Sequence, residues 1–220
     1  VAGRPVGRGG ALEVFSFHAT KVFSAAEGGC LCTDDDALAA RLRNIRSSYG
    51  AGQPVHVSRT ANGRMSEAQA AIALLSLSNL PSILQRNAEL FGIYREGLTG
   101  IPGLRLFEPQ AVSETNYQYV VCEIDALSFG LSRDELHAAL KAENVLARRY
   151  FHPGIHRSPP YRDQPEMNRE LPVTEALCES VLQLPIGKLL DPAAAHRLIE
   201  VIRRIHAQAA QVRVALRGEV

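Results

Sequence analysis

VFSFHATKVFSAAEGGCLCTDD, residues 14–35, decides how the chain is read. Its opening, extended back to Leu12, alternates or runs apolar through Ala19, the pattern of a buried strand. Glu27-Gly28-Gly29 is turn sequence, and Gly29–Thr33 reads as a second short strand. Asp34–Asp36 then supplies a turn and a helix N-cap for ALAARLRNIRSS. Lys21 stands where the first strand gives way to the glycine-rich turn. A lysine held there partly desolvated favours its neutral, nucleophilic amine, the form that condenses with an aldehyde. Ser16 and Thr20 offer hydroxyls to a phosphate beside it. On residue type and position alone, a solvated lysine is the commoner outcome.

Outward from this stretch the chain alternates helix and strand. Gly3 to Gly10 is turn sequence, and a polar loop runs from Tyr49 to Gly63. Met65–Leu80 has the alanine and leucine content of a largely buried helix, capped by Ser66. Pro81 is expected to begin or kink the next helix, which ends at Gly100 and Pro102. Strands are expected over Leu104–Glu108, Tyr117–Ile124 and Val145–Phe151. Ser132 and Glu135 stand at capping-box spacing before an amphipathic helix. A loop rich in Pro, His, Arg and Tyr covers His152 to Pro165. Helix 174–182, a short strand in LQLPIG, and one long helix from Pro192 to about Val214 complete an α/β pattern. The division into domains is expected at residues 1–85 and 86–220.

Composition excludes several classes. The net charge of +1 draws the chain to neither nucleic acid nor an anionic membrane, and no apolar run approaches the roughly 20 residues of a membrane span. The N-terminus lacks the architecture of a signal peptide. Cys30 and Cys32 have no second pair at metal-ligand spacing; as i, i+2 neighbours on a strand they read as buried, small hydrophobic thiols. The four cysteines suit a reducing cytoplasm. The seven histidines offer no zinc-hydrolase motif, and no serine has a GxSxG context. The basic C-terminal helix reads as a solvated face.

The stretch quoted first resembles the lysine signature of the DegT/DnrJ/EryC1/StrS family of pyridoxal-phosphate (PLP) sugar-nucleotide aminotransferases. The likeness continues in order through GRPVG (3–7), NGRMSEAQAAIALLSL (62–77), NYQYVV (116–121), ENVLARRYFHPGIHRSPPYR (143–162) and LQLPIG (182–187). The resemblance implies the fold type I (aspartate-aminotransferase-like) architecture. Residues 1–85 would be the last part of the PLP-binding large domain, and 86–220 the small C-terminal α/β domain.

It also implies that Lys21 forms the Schiff base with PLP and then serves as general acid and base for the 1,3-proton shift. Ser16 would contact the cofactor phosphate, and Asn62 the phosphate of the neighbouring subunit's cofactor, in a homodimer with shared sites. Dehydratases of the family carry histidine at the position of Lys21, so lysine favours transamination. NGRMSE and the 146–162 region most resemble the subgroup that aminates C4 of a 4-keto-6-deoxy sugar nucleotide with L-glutamate as donor. Arg64, Tyr150 and His156 would line the substrate site; the ordinary alternatives are a surface arginine, a packed tyrosine and a histidine tying down a loop.

In the family, the aspartate facing the pyridine nitrogen and the aromatic residue stacked on the ring precede the lysine strand, hence Val1. The chain is therefore expected to pair with a missing N-terminal half or another chain, because a sheet short of strands exposes edges and apolar faces. The rival readings are a catalytically silent homologue in an interaction or regulatory role, and a sugar dehydratase.

Overall fold

The computed structural model describes residues 6–7, 9–47, 55–108, 115–166 and 169–218. Much of the Gly3–Gly10 turn and the first part of the Tyr49–Gly63 loop lie outside these residues. The chain divides into two compact units, one running through Leu84 and the other beginning at Gln85.

In the first unit, β1 (Glu13–Ser16) and β2 (Gly29–Cys32) pair antiparallel, with Glu13 opposite Cys32 and Ser16 opposite Gly29. Gly29 is demanded by this pairing, since a Cβ there would lie 2.5 Å from the Phe15 carbonyl oxygen. Asp35 caps α1 (Asp36–Arg46), its carboxylate accepting from the Leu38 amide at 3.0 Å. Ser66 and Gln69 cap the next helix reciprocally: the serine hydroxyl accepts from the Gln69 amide at 3.2 Å, and Gln69 Oε1 accepts from the Ser66 amide at 3.1 Å.

Four expectations for this unit are corrected. The β1 strand is not buried: Val14 is 73% exposed. Helix α2 (Glu67–Leu98) continues past Pro81, so the proline does not begin a separate helix. Its N-terminal half is not buried either, with Leu74 at 70% and Leu75 at 65% exposed, because among the described residues little packs against it. Cys32 is likewise exposed and Cys30 half-exposed, their sulfurs 3.9 Å apart on one strand face.

The second unit holds the hydrophobic core. Strands β3 (Leu104–Leu106), β4 (Val120–Ile124), β5 (Arg148–Arg149) and β6 (Val181–Leu184) form an antiparallel sheet in the order β3-β4-β6-β5. Alternation along β4 buries Val120, Cys122 and Ile124. Against them pack Leu90, Tyr94 and Leu98 of α2, at the i, i+4 spacing of one helix face. Helix α3 (Ala126–Phe129), α4 (Arg133–Ala142), α5 (Pro172–Ser180), α6 (Pro192–Ala207) and α7 (Ala209–Arg217) complete the layer. Burial pushes the Cys122 thiol up to about 12, and raises the Tyr94 phenol while its hydroxyl donates to the Pro185 carbonyl at 2.7 Å.

The Ser132–Glu135 capping box forms as expected. The Val145–Phe151 strand shortens to two residues, and the long C-terminal helix breaks at Gln208 into α6 and α7.

Candidate functional site

Lys21 rides on the loop between β1 and β2, which backbone contacts close on both sides. The Phe17 amide donates to the Gly28 carbonyl at 2.8 Å and the Ala25 amide to the Phe17 carbonyl at 2.9 Å. Phe17 and Phe23 meet edge to face at 4.6 Å, and Ala25 is fully buried. The Ser76 hydroxyl of α2 donates to the Ser24 carbonyl at 2.6 Å, fastening the loop to the helix. Gly28 sits at φ +120°, a conformation that strains any residue with a side chain, and a Cβ there would also push on Met65 Cε, 2.7 Å away.

Inside this frame Lys21 closes a tight turn, its amide donating to the His18 carbonyl at 2.9 Å, with the side chain half-buried. His18 Nδ1 accepts from the Thr20 amide at 3.2 Å and lies 2.9 Å from the Thr20 hydroxyl. An accepting Nδ1 puts the ring proton on Nε2, which faces Glu27 at 3.6 Å. Ser16, the last residue of β1, is exposed, and its hydroxyl accepts from the His18 amide at 3.4 Å. The end of β1 and the pinned loop thus present two hydroxyls followed in sequence by an amine. That donor set fits an aldehyde carrying a phosphate: the amine for the carbonyl carbon, the hydroxyls for the phosphate oxygens.

Asn62 and Arg64 lie on a strap laid along the end of α1. The Ala61 amide donates to the Ile45 carbonyl at 2.8 Å and the Gly63 amide to the Arg46 carbonyl at 3.0 Å, leaving Asn62 between them and exposed. Arg64 is exposed as well. A cavity of about 960 Å³ opens on this unit between the hairpin and α1, lined by Val14, Leu31, Leu42 and Ile45 among others; Lys21, Ser16, Asn62 and Arg64 are not among its lining residues. Its walls are mostly apolar, with Asp34, Arg43 and Arg46 among them, and it holds none of the residues assigned a role from sequence.

Tyr150 and His156 belong to the second unit. Tyr150 stacks on Phe151 at 4.0 Å and packs against Tyr119 at 5.2 Å. Burial, with Tyr119 beside it, raises its phenol above the ordinary tyrosine value. His156 sits in a 3-10 turn, Ile155–Arg157, with its side chain 9% exposed and Nε2 3.1 Å from Glu175 Oε1. The loop-tying role weighed from sequence is thus filled, and its partner, Glu175, was missed. The sequence does carry one HxxxH spacing, His152 and His156 in HPGIH. Both meet carboxylates of α5, Glu179 and Glu175. Among the described residues no group of three or more His, Cys, Asp or Glu is placed to hold a metal ion.

The model of the DegT/DnrJ/EryC1/StrS aminotransferase family matches residues 1–203. A dTDP-4-amino-4,6-dideoxy-D-glucose transaminase of Shigella dysenteriae is 33% identical over 201 residues, which are 90% of this chain and 53% of that protein. A dTDP-3-amino-3,4,6-trideoxy-alpha-D-glucose transaminase of Streptomyces venezuelae is 32% identical over 203 residues, 91% of this chain and 52% of that protein. The crystal structure of DesI in the presence of its TDP-sugar product superposes with a TM-score of 0.89 at 40% identity, covering 99% of this chain and 55% of that one. The chain spans about half the length of the curated relatives it matches. Its mixed α/β structure is that of the fold type I aminotransferases. With the family model matching residues 1–203 and relatives 32–33% identical over about nine-tenths of its length, the chain belongs to the DegT/DnrJ/EryC1/StrS aminotransferase family.

Proposed function

We propose that this chain carries the lysine-bearing part of a PLP-dependent aminotransferase that moves an amino group from L-glutamate to a keto sugar nucleotide. The acceptor is the C4 ketone of a nucleoside-diphosphate 4-keto-6-deoxyhexose. The observation that carries this reading is Lys21 on a loop fastened at both ends, in a chain of this family. Residues 1–85 form the last part of the large domain, and 86–220 the small one.

PLP, when bound, supplies an electron sink and a carrier for the amino group. The residues of the chain do the rest. The Lys21 amine would hold the cofactor's aldehyde, and its Nζ would take and return a proton at the reacting carbon. Ser16 donates to the phosphate, and Asn62 to the phosphate held in the partner subunit of a homodimer. Arg64 pairs with an anion, either the sugar-nucleotide diphosphate or the glutamate carboxylate. Tyr150 and His156 face the sugar hydroxyls. The four free cysteines accord with the reducing cytoplasm, and among the described residues no helix is long and apolar enough to cross a membrane.

The test is spectroscopic. Added PLP is expected to give a visible absorbance band that borohydride fixes at Lys21 and that Lys21→Ala lacks. Incubation with a dTDP-linked 4-keto-6-deoxyhexose and glutamate is then expected to give a product that has gained nitrogen at C4. Nitrogen at C3 would move the assignment to the other position, and loss of the C3 oxygen without nitrogen would indicate a dehydratase. The second reading, a catalytically silent family member acting through interactions, rests on the share of its relatives that the chain spans. Absence of a reducible adduct would favour it.

A further inference from the structure

The carboxylate of Glu175, in the first turn of α5, gathers donors from the loop that precedes the helix. Its Oε1 lies 3.1 Å from His156 Nε2, and accepts from Arg157 Nε at 3.1 Å and Arg157 Nη2 at 2.7 Å. The Leu171 amide approaches the same oxygen at 3.5 Å. These bonds hold the carboxyl below the usual glutamate range, the bond to His156 contributing most. From the other side Gly154 closes the packing: at φ +94°, a Cβ there would sit 3.1 Å from His156 Cε1 and 3.2 Å from Cys178 Sγ. The His156 ring is thus held between Gly154 and one oxygen atom. An ionised carboxylate only accepts, so the His156 proton is on Nε2.

One turn further along α5, Glu179 stands 3.3 Å from His152 Nδ1 and 3.9 Å from Arg133 Nη2, itself 65% exposed. His152 Nδ1 has no directed hydrogen bond. The two glutamates therefore differ: Glu175 makes a directed set of bonds, whereas Glu179 is a nearby charge.

We propose that Glu175 is a positioning residue for the sugar-nucleotide site: it fixes the 155–157 turn, and with it the His156 ring, in the arrangement that substrate binding uses. The link to substrate rests on the reading of His156 given above. Glu175 touches no substrate itself; it acts through the turn.

The turn has its own reporters, the Arg157 and Ser158 amides, bonded to the Gly154 and Ile155 carbonyls at 3.1 and 3.0 Å. In Glu175→Gln of the full chain these two amides are expected to exchange hydrogen about tenfold faster, a local opening, with the β4 and β6 amides unchanged. Glu179→Gln is expected to stay within about twofold of the parent, as exposed pairs do. In steady-state kinetics Glu175→Gln raises KM for the dTDP-linked 4-keto-6-deoxyhexose about tenfold and leaves kcat and the glutamate KM within about twofold, the mark of binding lost equally from ground state and transition state. Should Glu175→Gln fail to fold, His156→Asn and Arg157→Gln remove its donors one at a time, and each is expected to quicken exchange of the turn. Exchange equal to the parent, exchange raised equally across the sheet, or a loosened turn with an unaltered sugar KM would each overturn the proposal. A parent protein that forms no borohydride-reducible adduct with PLP would tell against the proposed function instead, and the exchange comparison would still decide whether Glu175 holds the turn.

Discussion

Single residues set the tolerances of the second unit, and two glycines of α2 make the point with opposite signs. A Cβ built on Gly97 lies 2.6 Å from Ile199 Cδ1 and 2.9 Å from its Cγ2, so α2 and α6 approach through that gap. Gly97→Ala is expected to cost about 1–3 kcal/mol, the range for overpacking a tight core contact. Gly92, on the same helix, meets nothing within 4 Å. Gly92→Ala is expected to stabilise by about 0.5–1 kcal/mol, because alanine loses less backbone entropy in a helix. Thermal unfolding of the two variants reads both signs; a shift in the same direction for both would show that the α2–α6 contact does not set the limit. Neither effect is legible from sequence, since GxxxxG in a helix says nothing about which glycine faces a neighbour. Lys21 is the opposite case: the signature around it names the residue, while the bonds that fasten its loop, from Ser76 to Ser24 across 52 positions, are long-range and leave no local trace.

At the scale of elements, what is written locally was legible and what depends on packing was not. Asp35, Ser66 and Ser132 announce their helices because a cap needs only a side chain and an amide three residues on. Strand lengths were overestimated: β-propensity extends Val145–Phe151, but pairing with β6 covers only Arg148 and Arg149. Pro81 is expected to begin or kink a helix, and it begins none: α2 continues past it. The α4 capping box gives a test with a pH sign. Glu135 accepts from the Ser132 amide at 2.7 Å, and that bond, ahead of the smaller effects of Arg213 and Arg217, lowers its carboxyl below the unfolded value of 4.5. A lowered carboxyl contributes stability above its unfolded value and loses it as pH falls through the folded one. Glu135→Gln is therefore expected to be less stable than the parent at neutral pH, with the gap closing below about 4.5. Ser132→Ala, which removes the other half of the box, is expected to cost about 1 kcal/mol. A parent-to-Glu135→Gln gap in melting temperature that is constant from pH 7 to 3 would contradict the charged-cap account.

The whole molecule is uneven in how it uses its apolar residues. The second unit encloses a full core, with Leu90, Leu136, Leu140 and Ile202 at 0% exposure. In the first unit Ile72, Leu74, Leu75 and Leu77 are 44–70% exposed, and their helical positions point in several directions around α2 rather than along one stripe. A helix apolar all round is a buried helix by design. Val14 and Leu31, exposed on the hairpin, line the wall of the cavity beside α1. Exposed apolar surface of this kind is covered in a soluble protein, whether by further chain or by a second copy. The 220-residue chain by itself is accordingly expected to sediment as an associated species at micromolar concentration and to bind a hydrophobic dye. The double substitution Leu74→Lys and Leu77→Lys is expected to weaken both while leaving the melting of the second unit unchanged, because neither side chain belongs to that core. A monodisperse monomer without dye binding would mean that these faces are satisfied within the chain, and would remove the main physical reason for assigning this family member a partner.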